Sequence, residues 1–547
     1  MIKKLFNGQI NSITIAALLV ASSSLLSRFL GLFRDRILAG QFGAGDSLDS
    51  FYAAFRVPDL IFNLLILGAL SAGFIPLFTS LIKDPVAKIK NFISGSPNQE
   101  AWQLANNIFN IIGACLIVLA GVGLFFAPGL IKLITPGFSP HKQAITVHLT
   151  RIMFLSPFFL GLSSVLGGIL QSFKRFFIYS LSPIFYNIGI IIGALYLVPK
   201  YGLDGLAWGV VLGAFMHFAV QLPTLFSLGF RYQFRFNVRD KNTRIIGAMS
   251  VPRTLGLATT QINLTAITII ASTLSSGSLA IFNFANNLQS FPIGIFGLSF
   301  AVAAFPTLSA VAFDRRKLVA NFSYIFRQIL FFIVPATMLL FMLRAQIIRA
   351  ILGTGLFDWE DTVLTINTLG FFTISIFAQA TIPLLTRIFY ARHNSRTPFF
   401  IGLLTDLGNI LIAWLLIGRF GVAGLALSFS ITSISYFILL WLFLRSEIGA
   451  LDEGKILFSV IKFSAAALGG GAAIQTMKLL IWPYVDMTTL IGILLQGLIA
   501  GAIGTTVYLV LCLLFKSEEL LNFWRSLQRR LPWRKMEAED QGEARGI

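Results

Sequence analysis

The segment Ser27-Arg28-Phe-Leu-Gly31-Leu-Phe-Arg34-Asp35-Arg36 sets three guanidinium groups and a carboxylate in an otherwise apolar run. Ionisable groups at membrane depth cost several kcal/mol and face a polar partner or a hydrated cavity. Arginine suits phosphate because its planar fork makes paired hydrogen bonds. Arg28 and Arg34 are therefore candidates for binding an anionic group. The structural alternative is that Arg28 and Asp35, seven positions apart and on one helix face, form a locking ion pair, with Arg34 and Arg36 near an interface. Arg56-Val-Pro58-Asp59 opens the next apolar run and adds Arg56 to the anion candidates. Pro58 removes a backbone donor, so a break is expected there. Arg253 follows Pro252 early in the seventh run, with Gln261 and Asn263 beyond it. It lines a cavity or snorkels to the interface. Asp406 with Asn409 in the eleventh run either binds a coupling cation or proton or joins two helices by hydrogen bonds. Arg344 and Arg349 end the ninth run and read as interfacial anchors.

Other chemistries lack their residues. The two cysteines, Cys115 and Cys512, lie in separate apolar runs and read as buried small hydrophobes. The four histidines are scattered, and no metal spacing, Walker loop, glycine-rich dinucleotide turn or Ser-His-Asp context occurs. A net charge of +19 would point to nucleic acid in a soluble chain. Here 56% of the 547 residues are hydrophobic and only 12% charged, against roughly 25% in soluble domains. The chain reads as an all-α polytopic membrane protein with no nucleic-acid partner.

A span needs roughly 20 apolar residues. Runs of that size give about fourteen transmembrane helices: 10–40, 50–82, 103–134, 144–171, 178–199, 203–229, 246–273, 278–312, 323–352, 362–390, 398–418, 421–445, 457–482 and 487–515. Alternate connections are basic. One side carries Lys83, Lys88 and Lys90, then Lys174 and Arg175, the stretch Arg231 to Arg244, Arg315 to Lys317, Arg392 and Arg396, and the tail. The other carries sequences such as GAGDSLD, TPGFSPHK and GTGLFDWED, poor in Lys and Arg. The positive-inside rule then puts both termini in the cytoplasm. From Lys516 on, Leu520, Leu521, Phe523, Trp524 and Leu527 accompany Arg525, Arg529 and Arg530, which fits either an amphipathic helix on the inner leaflet or a solvated tail.

Lys200-Tyr-Gly-Leu-Asp-Gly-Leu-Ala207 recurs as Arg419-Phe-Gly-Val-Ala-Gly-Leu-Ala426. The offset is six spans, which predicts two pseudo-symmetric six-helix lobes with a site between them. The expected organisation is an N-lobe (1–230, helices 1–6), a C-lobe (231–450, helices 7–12), helices 13–14 (451–515) and a cytoplasmic tail (516–547), amphipathic or disordered.

Ser27 to Leu60, SRFLGLFRDRILAGQFGAGDSLDSFYAAFRVPDL, closely resembles the opening of the MurJ/MviN-type lipid II flippases of the multidrug/oligosaccharidyl-lipid/polysaccharide exporter superfamily. GALSAGFIPLF (68–78), ITPGF (134–138), FPIGIFGLSFAVAAFPTLS (291–309), FYARHNSRTP (389–398) and GVAGLALS (421–428) agree in order. The resemblance implies alternating access around a central cationic cavity, a groove for a lipid tail at the two C-terminal helices, and movement of the lipid-linked peptidoglycan precursor, a polyprenyl-pyrophosphate-linked glycan, from the inner to the outer leaflet of the bacterial plasma membrane. It makes Arg28 and Arg34 cavity arginines, with Ser27 beside the first and Asp35 at an acidic position. With no catalytic constellation in the sequence, no enzyme activity is expected, and no cofactor beyond Na+ or H+ coupling or the membrane potential. Cell-wall synthases are expected partners. Three usually charged positions differ: Phe62, Leu67 and Asn287 stand there. Another polyprenyl-pyrophosphate-linked oligosaccharide as cargo, or a non-transporting membrane scaffold of cell-wall synthesis, remain alternatives.

Overall fold

In lipid every backbone polar group needs an internal partner, and helices supply it within one segment. The computed structural model describes residues 13–64, 73–82 and 98–530, with side chains from residue 19 and without those of 251–253, 255–257 and 525–530. The described residues are helical, with no strand among them. They form two compact units, one of residues 13–38 and 46–273, the other of 39–45 and 274–530.

The first unit holds α1 (Ile13–Phe42, its last turn excepted), α2 (Asp46–Phe62), α3 (Ile75–Leu81), α4 (Gln99–Ile134), α5 (Pro140–Met153), α6 (Leu155–Ser172), α7 (Phe176–Ile192), α8 (Val198–Tyr201), α9 (Leu203–Ala219), α10 (Leu222–Ser227) and α11 (Lys241–Ser272). Thus α11, grouped above with the C-lobe by the repeat, packs with the first unit, on α4 and α2. The aromatic core is built on Phe74, Phe78, Val165, Leu166, Ile169 and Phe173. α7 and the π-helical turn that follows it (Gly193–Leu197) meet α9 through glycines four apart: Gly189 faces Gly213, and Gly193 faces Gly209, with no room for a Cβ at either. Small residues at this spacing let helix backbones approach closely in lipid.

The second unit holds α12 (Ser278–Pro292), α13 (Ser299–Ala310), α14 (Arg315–Met342), α15 (Arg344–Ile351), α16 (Trp359–Thr373), α17 (Ile376–Ala391), α18 (Arg396–Phe420), α19 (Val422–Ile448), α20 (Glu453–Ile481), α21 (Leu490–Leu514) and α22 (Glu518–Arg530). A π-helical turn, Ile293–Leu298, joins α12 to α13. α16 and α17 are bent by 44°.

Among the described residues ten helices are long and apolar enough to cross a membrane, or eleven if α16 and α17 count as one. The other three expected spans fall on α1, on α2 with α3, and on α11, each of which includes or adjoins residues outside the described set, so fourteen stays an expectation. Pro58 does not break its helix: α2 runs through it to Phe62. Proline forfeits one ladder bond, and tight flanking packing tolerates that loss; Leu48, Phe51, Ala53, Ala54 and Pro58 itself are buried. Cys512 is buried, but Cys115 is exposed on α4, on a helix whose Val118, Phe125 and Phe126 are also exposed. A small apolar side chain is as comfortable against lipid as in a core, which is why composition could not place it.

The TPGFSPHK connection is less cationic than its sequence. Lys142 is buried and donates to Asp46 at 2.6 Å and Asp49 at 2.9 Å, with Phe138 beneath its ammonium at 3.9 Å. The tail begins as a helix, α22, docked on the second unit. Glu519 is buried and accepts from Ser459 Oγ at 2.9 Å, Ser517 Oγ at 2.8 Å and Arg327 Nη1. Its neighbours Leu521, Phe523 and Trp524 are exposed. Residues 531–547 of the expected tail lie outside the described residues.

Candidate anion site in the first unit

Three of the candidates, Ser27, Arg34 and Asp35, meet on α1 beside α7. Arg34 Nε and Nη2 both donate to Asp35 Oδ1, at 3.1 and 2.8 Å. Asp35 is buried and Arg34 nearly so. Arg34 Nη1 donates to Asn187 Oδ1 on α7 at 3.3 Å. Asn187 Nδ2 in turn donates to Ser27 Oγ at 3.1 Å and Ser27 O at 3.3 Å. Ser27, Arg34, Asp35 and Asn187 therefore form one polar chain across two helices. Tyr52 of α2 is in electrostatic reach of Arg34 and Asp35. Tyr186 of α7 is in reach of Arg34 and Asp59 and bonds to Ser156.

Asp35 thus pairs with Arg34, next to it in the chain. A carboxylate that already holds the Nε–Nη2 edge leaves an incoming phosphate to compete for the guanidinium. Arg28 is partly buried on the same helix. Arg56 Nε donates to Thr268 Oγ1 of α11 at 3.1 Å, with Asp59 in electrostatic reach. Arg253 lies in α11, but its side chain falls outside the described ones.

Sequence reasoning missed Asn187, Thr268, Tyr52 and Tyr186. Asn187 had a signal: it is a lone amide in the apolar run of α7, and such a group must find a partner in lipid. Of the usually charged positions, Phe62 packs on the aromatic core of the first unit, and Leu67 lies outside the described residues. Asn287 is on α12 in the second unit, where the nearby polar chain is neutral. Gln379 Nε2 donates to buried Gln289 Oε1 at 3.0 Å and to Ser375 Oγ at 2.8 Å, and Gln289 Nε2 donates to Asn286 Oδ1 at 3.0 Å. Asp406 and Asn409 share one face of α18; Asn409 is buried and Asp406 partly so.

The second unit also contains an apolar cavity of about 720 Å³, walled by Phe326, Leu330, Phe437, Trp441, Leu457 and Val460. It is bounded by α14, α16, α17, α19 and α20, while α21 contributes no lining residue.

Residues 38–495 match the family model described as "Lipid II flippase MurJ". The chain belongs to the lipid II flippase MurJ family. The "Probable lipid II flippase MurJ" of Buchnera aphidicola subsp. Acyrthosiphon pisum is 32% identical, over 77% of this chain and 81% of that one. The "Lipid II flippase MurJ" of Burkholderia cenocepacia is 29% identical, over 79% and 84%. A solved lipid II flippase MurJ in an inward closed conformation shares the fold, with a TM-score of 0.73 at 24% identity over 94% of this chain and all of that one. An inward-facing MATE multidrug transporter of the MOP superfamily shares it more loosely, with a TM-score of 0.64 at 16% identity over 80% of this chain. MurJ membership makes this a multi-pass membrane protein of a transporter family, not of an enzyme family. The MurJ family match covers α2 to α20 whole, and so includes Asn187 and Arg56 as well as the end of α1.

Proposed function

We propose that this protein carries lipid II, the lipid-linked peptidoglycan precursor, from the inner to the outer leaflet of the bacterial plasma membrane by alternating access through a cationic chamber. The match over residues 38–495 carries this reading. The physical problem is the head group: its pyrophosphate cannot enter hydrocarbon without losing solvation worth far more than thermal energy. Arg28, Arg34 and Arg56 supply the compensating charge, and Ser27 and Asn187 orient Arg34. Asp35 competes for Arg34, so the phosphate is bound weakly enough to leave when the conformation changes. Arg253 joins the set from α11. The apolar cavity against α20 takes part of the polyprenyl tail.

Asp406 and Asn409 are the proposed coupling site for Na+ or H+. The membrane potential acts on any net charge moved, at roughly 2.3 kcal/mol per charge per 100 mV. Both termini lie in the cytoplasm, and cell-wall synthases consume the product. Phe62 and Asn287 favour a second reading, another polyprenyl-pyrophosphate-linked oligosaccharide as cargo, since two usual cationic contacts are uncharged here.

Reconstituted leaflet translocation decides between them. Lipid II is expected to cross in protein-containing vesicles and to stop crossing with Arg34→Ala. Faster movement of a different polyprenyl-linked glycan would support the second reading, and movement of none would overturn both.

A further inference from the structure

A second cationic cluster lies in the second unit, outside the site above. α14 ends at Met342 and α15 begins at Arg344, with Leu343 alone between them. Arg344 Nη1 donates to Phe341 O at 2.8 Å. Lys478 Nζ, from α20, donates to Met342 O at 3.1 Å. Two cations from different helices thus converge on successive carbonyls. One cation at a helix C-terminus is an ordinary favourable arrangement. A second beside it adds like-charge repulsion that the carbonyls only partly relieve.

Neither cation forms an ion pair among the described residues. Each uses one donor there, of the five N–H that arginine carries and the three of lysine. Both are half-exposed, so the remaining donors are open to a ligand. The N-terminus of α15 has no side-chain cap.

The cluster is rigidly mounted. Gln346 Nε2 donates to Gln496 Oε1 at 2.8 Å, and Gln496 Nε2 donates to Lys478 O at 3.0 Å. Leu343, Ile474 and Ala500 form an apolar floor with Met338, Met342 and Met477. The surroundings are interfacial in character. The Phe341 ring lies 4.4 Å from the Arg344 guanidinium. Trp359, Trp482 and Tyr484 are exposed on the segments that follow α15 and α20, beside exposed Leu479 and Leu480. Trp and Tyr gather where membrane meets water.

We infer that Arg344 and Lys478 form a binding site for the phosphate of an anionic membrane lipid where α14, α15 and α20 meet. The planar fork takes two phosphate oxygens and the ammonium a third. The exposed leucines of α20 receive the start of the acyl chains, which selects a lipid-borne phosphate over a soluble one. The site is independent of the transported cargo.

Native mass spectrometry of the full-length protein tests this, with phosphatidylglycerol, phosphatidylcholine or inorganic phosphate added. Wild type should retain phosphatidylglycerol adducts about tenfold better than phosphatidylcholine adducts, and inorganic phosphate should not displace them. The Arg344→Gln/Lys478→Gln pair should lose that preference, and so, in part, should Lys478→Gln alone should the pair fail to fold. Lys478→Arg should keep it. Equal adducts in wild type and folded variants, or displacement by inorganic phosphate, would overturn the site. Transport of lipid II by wild type is read separately, so a failed cargo assignment leaves this result interpretable.

Discussion

Arg34 and Asn187, 153 positions apart, are joined by a hydrogen bond of 3.3 Å from Nη1 to Oδ1. Because Asn187 also donates to Ser27, it fixes where the guanidinium stands. Asn187→Ala should therefore lower lipid II translocation by about tenfold, the worth of one hydrogen bond to a charged group, while leaving the amount of folded protein in the membrane unchanged. Vesicle translocation rates at matched protein content measure this. An unchanged rate would reduce Asn187 to a packing residue.

Removing the guanidinium itself is a harsher change. Arg34→Ala leaves buried Asp35 without the Arg34 ion pair, and Arg28→Ala removes another of the three arginines on the same helix. Both variants should insert but fail to complement a flippase-depleted strain. Full complementation by either would take that arginine out of the transport path.

The fold was largely legible because its signals are periodic. The repeat read from Lys200 and Arg419 onward reappears in the backbone: Gly202 has φ 58° and ψ −139°, and Gly421 φ 56° and ψ −137°. Three residues on, Gly205 and Gly424 each press on the residue eight positions before, Leu197 and Leu416. A left-handed turn followed by a close approach demands glycine twice, so sequence alone could show it. The site was legible only in its charges. Arg34 announced itself by its cost in lipid, and Asp35 beside it is a local partner, but the contact with Asn187 is made by tertiary packing. Thr268 and Asn187 are neutral residues brought in by helices distant in sequence, and no local spacing predicts such a meeting.

The Lys142, Asp46 and Asp49 cluster anchors the first turn of α2 to α5. The Lys142 side chain is 10% exposed and that of Asp49 3%. Taking away the cation removes the ion pair of a buried carboxylate, so Lys142→Ala should cost about 3–5 kcal/mol. Adding Asp49→Asn should recover much of it. Thermal unfolding in detergent of the single and double variants measures both, and additive losses would show that the pair is not coupled.

Asp406→Asn should change the dependence of transport on Na+ or on pH, since it removes a partly buried carboxylate from α18 while keeping its shape. Translocation measured against each ion gradient in turn reads the effect. The same dependence in both proteins would leave Asp406 as a helix-packing group with Asn409.

Glu519 offers a pH test outside the spans. Burial alone would push its carboxyl up, but its own backbone N–H, the Ser517 and Ser459 hydroxyls and the charge of Arg327 outweigh that and hold it below its usual range. A depressed folded value means the carboxylate stabilises the docked α22 at any pH above the ordinary glutamate value of about 4.3, and that this contribution is lost as the pH falls through the lower folded value. α22 should thus stay docked at neutral pH and loosen only in acid. Glu519→Gln should loosen it at neutral pH, because the amide keeps the size but not the charge facing Arg327. Amide hydrogen exchange over 518–530 measures this. Protection that is identical in Glu519→Gln and wild type, at neutral and acid pH alike, would mean that buried Leu520 and the edge of Phe523 against the Phe332 ring hold the helix without the carboxylate.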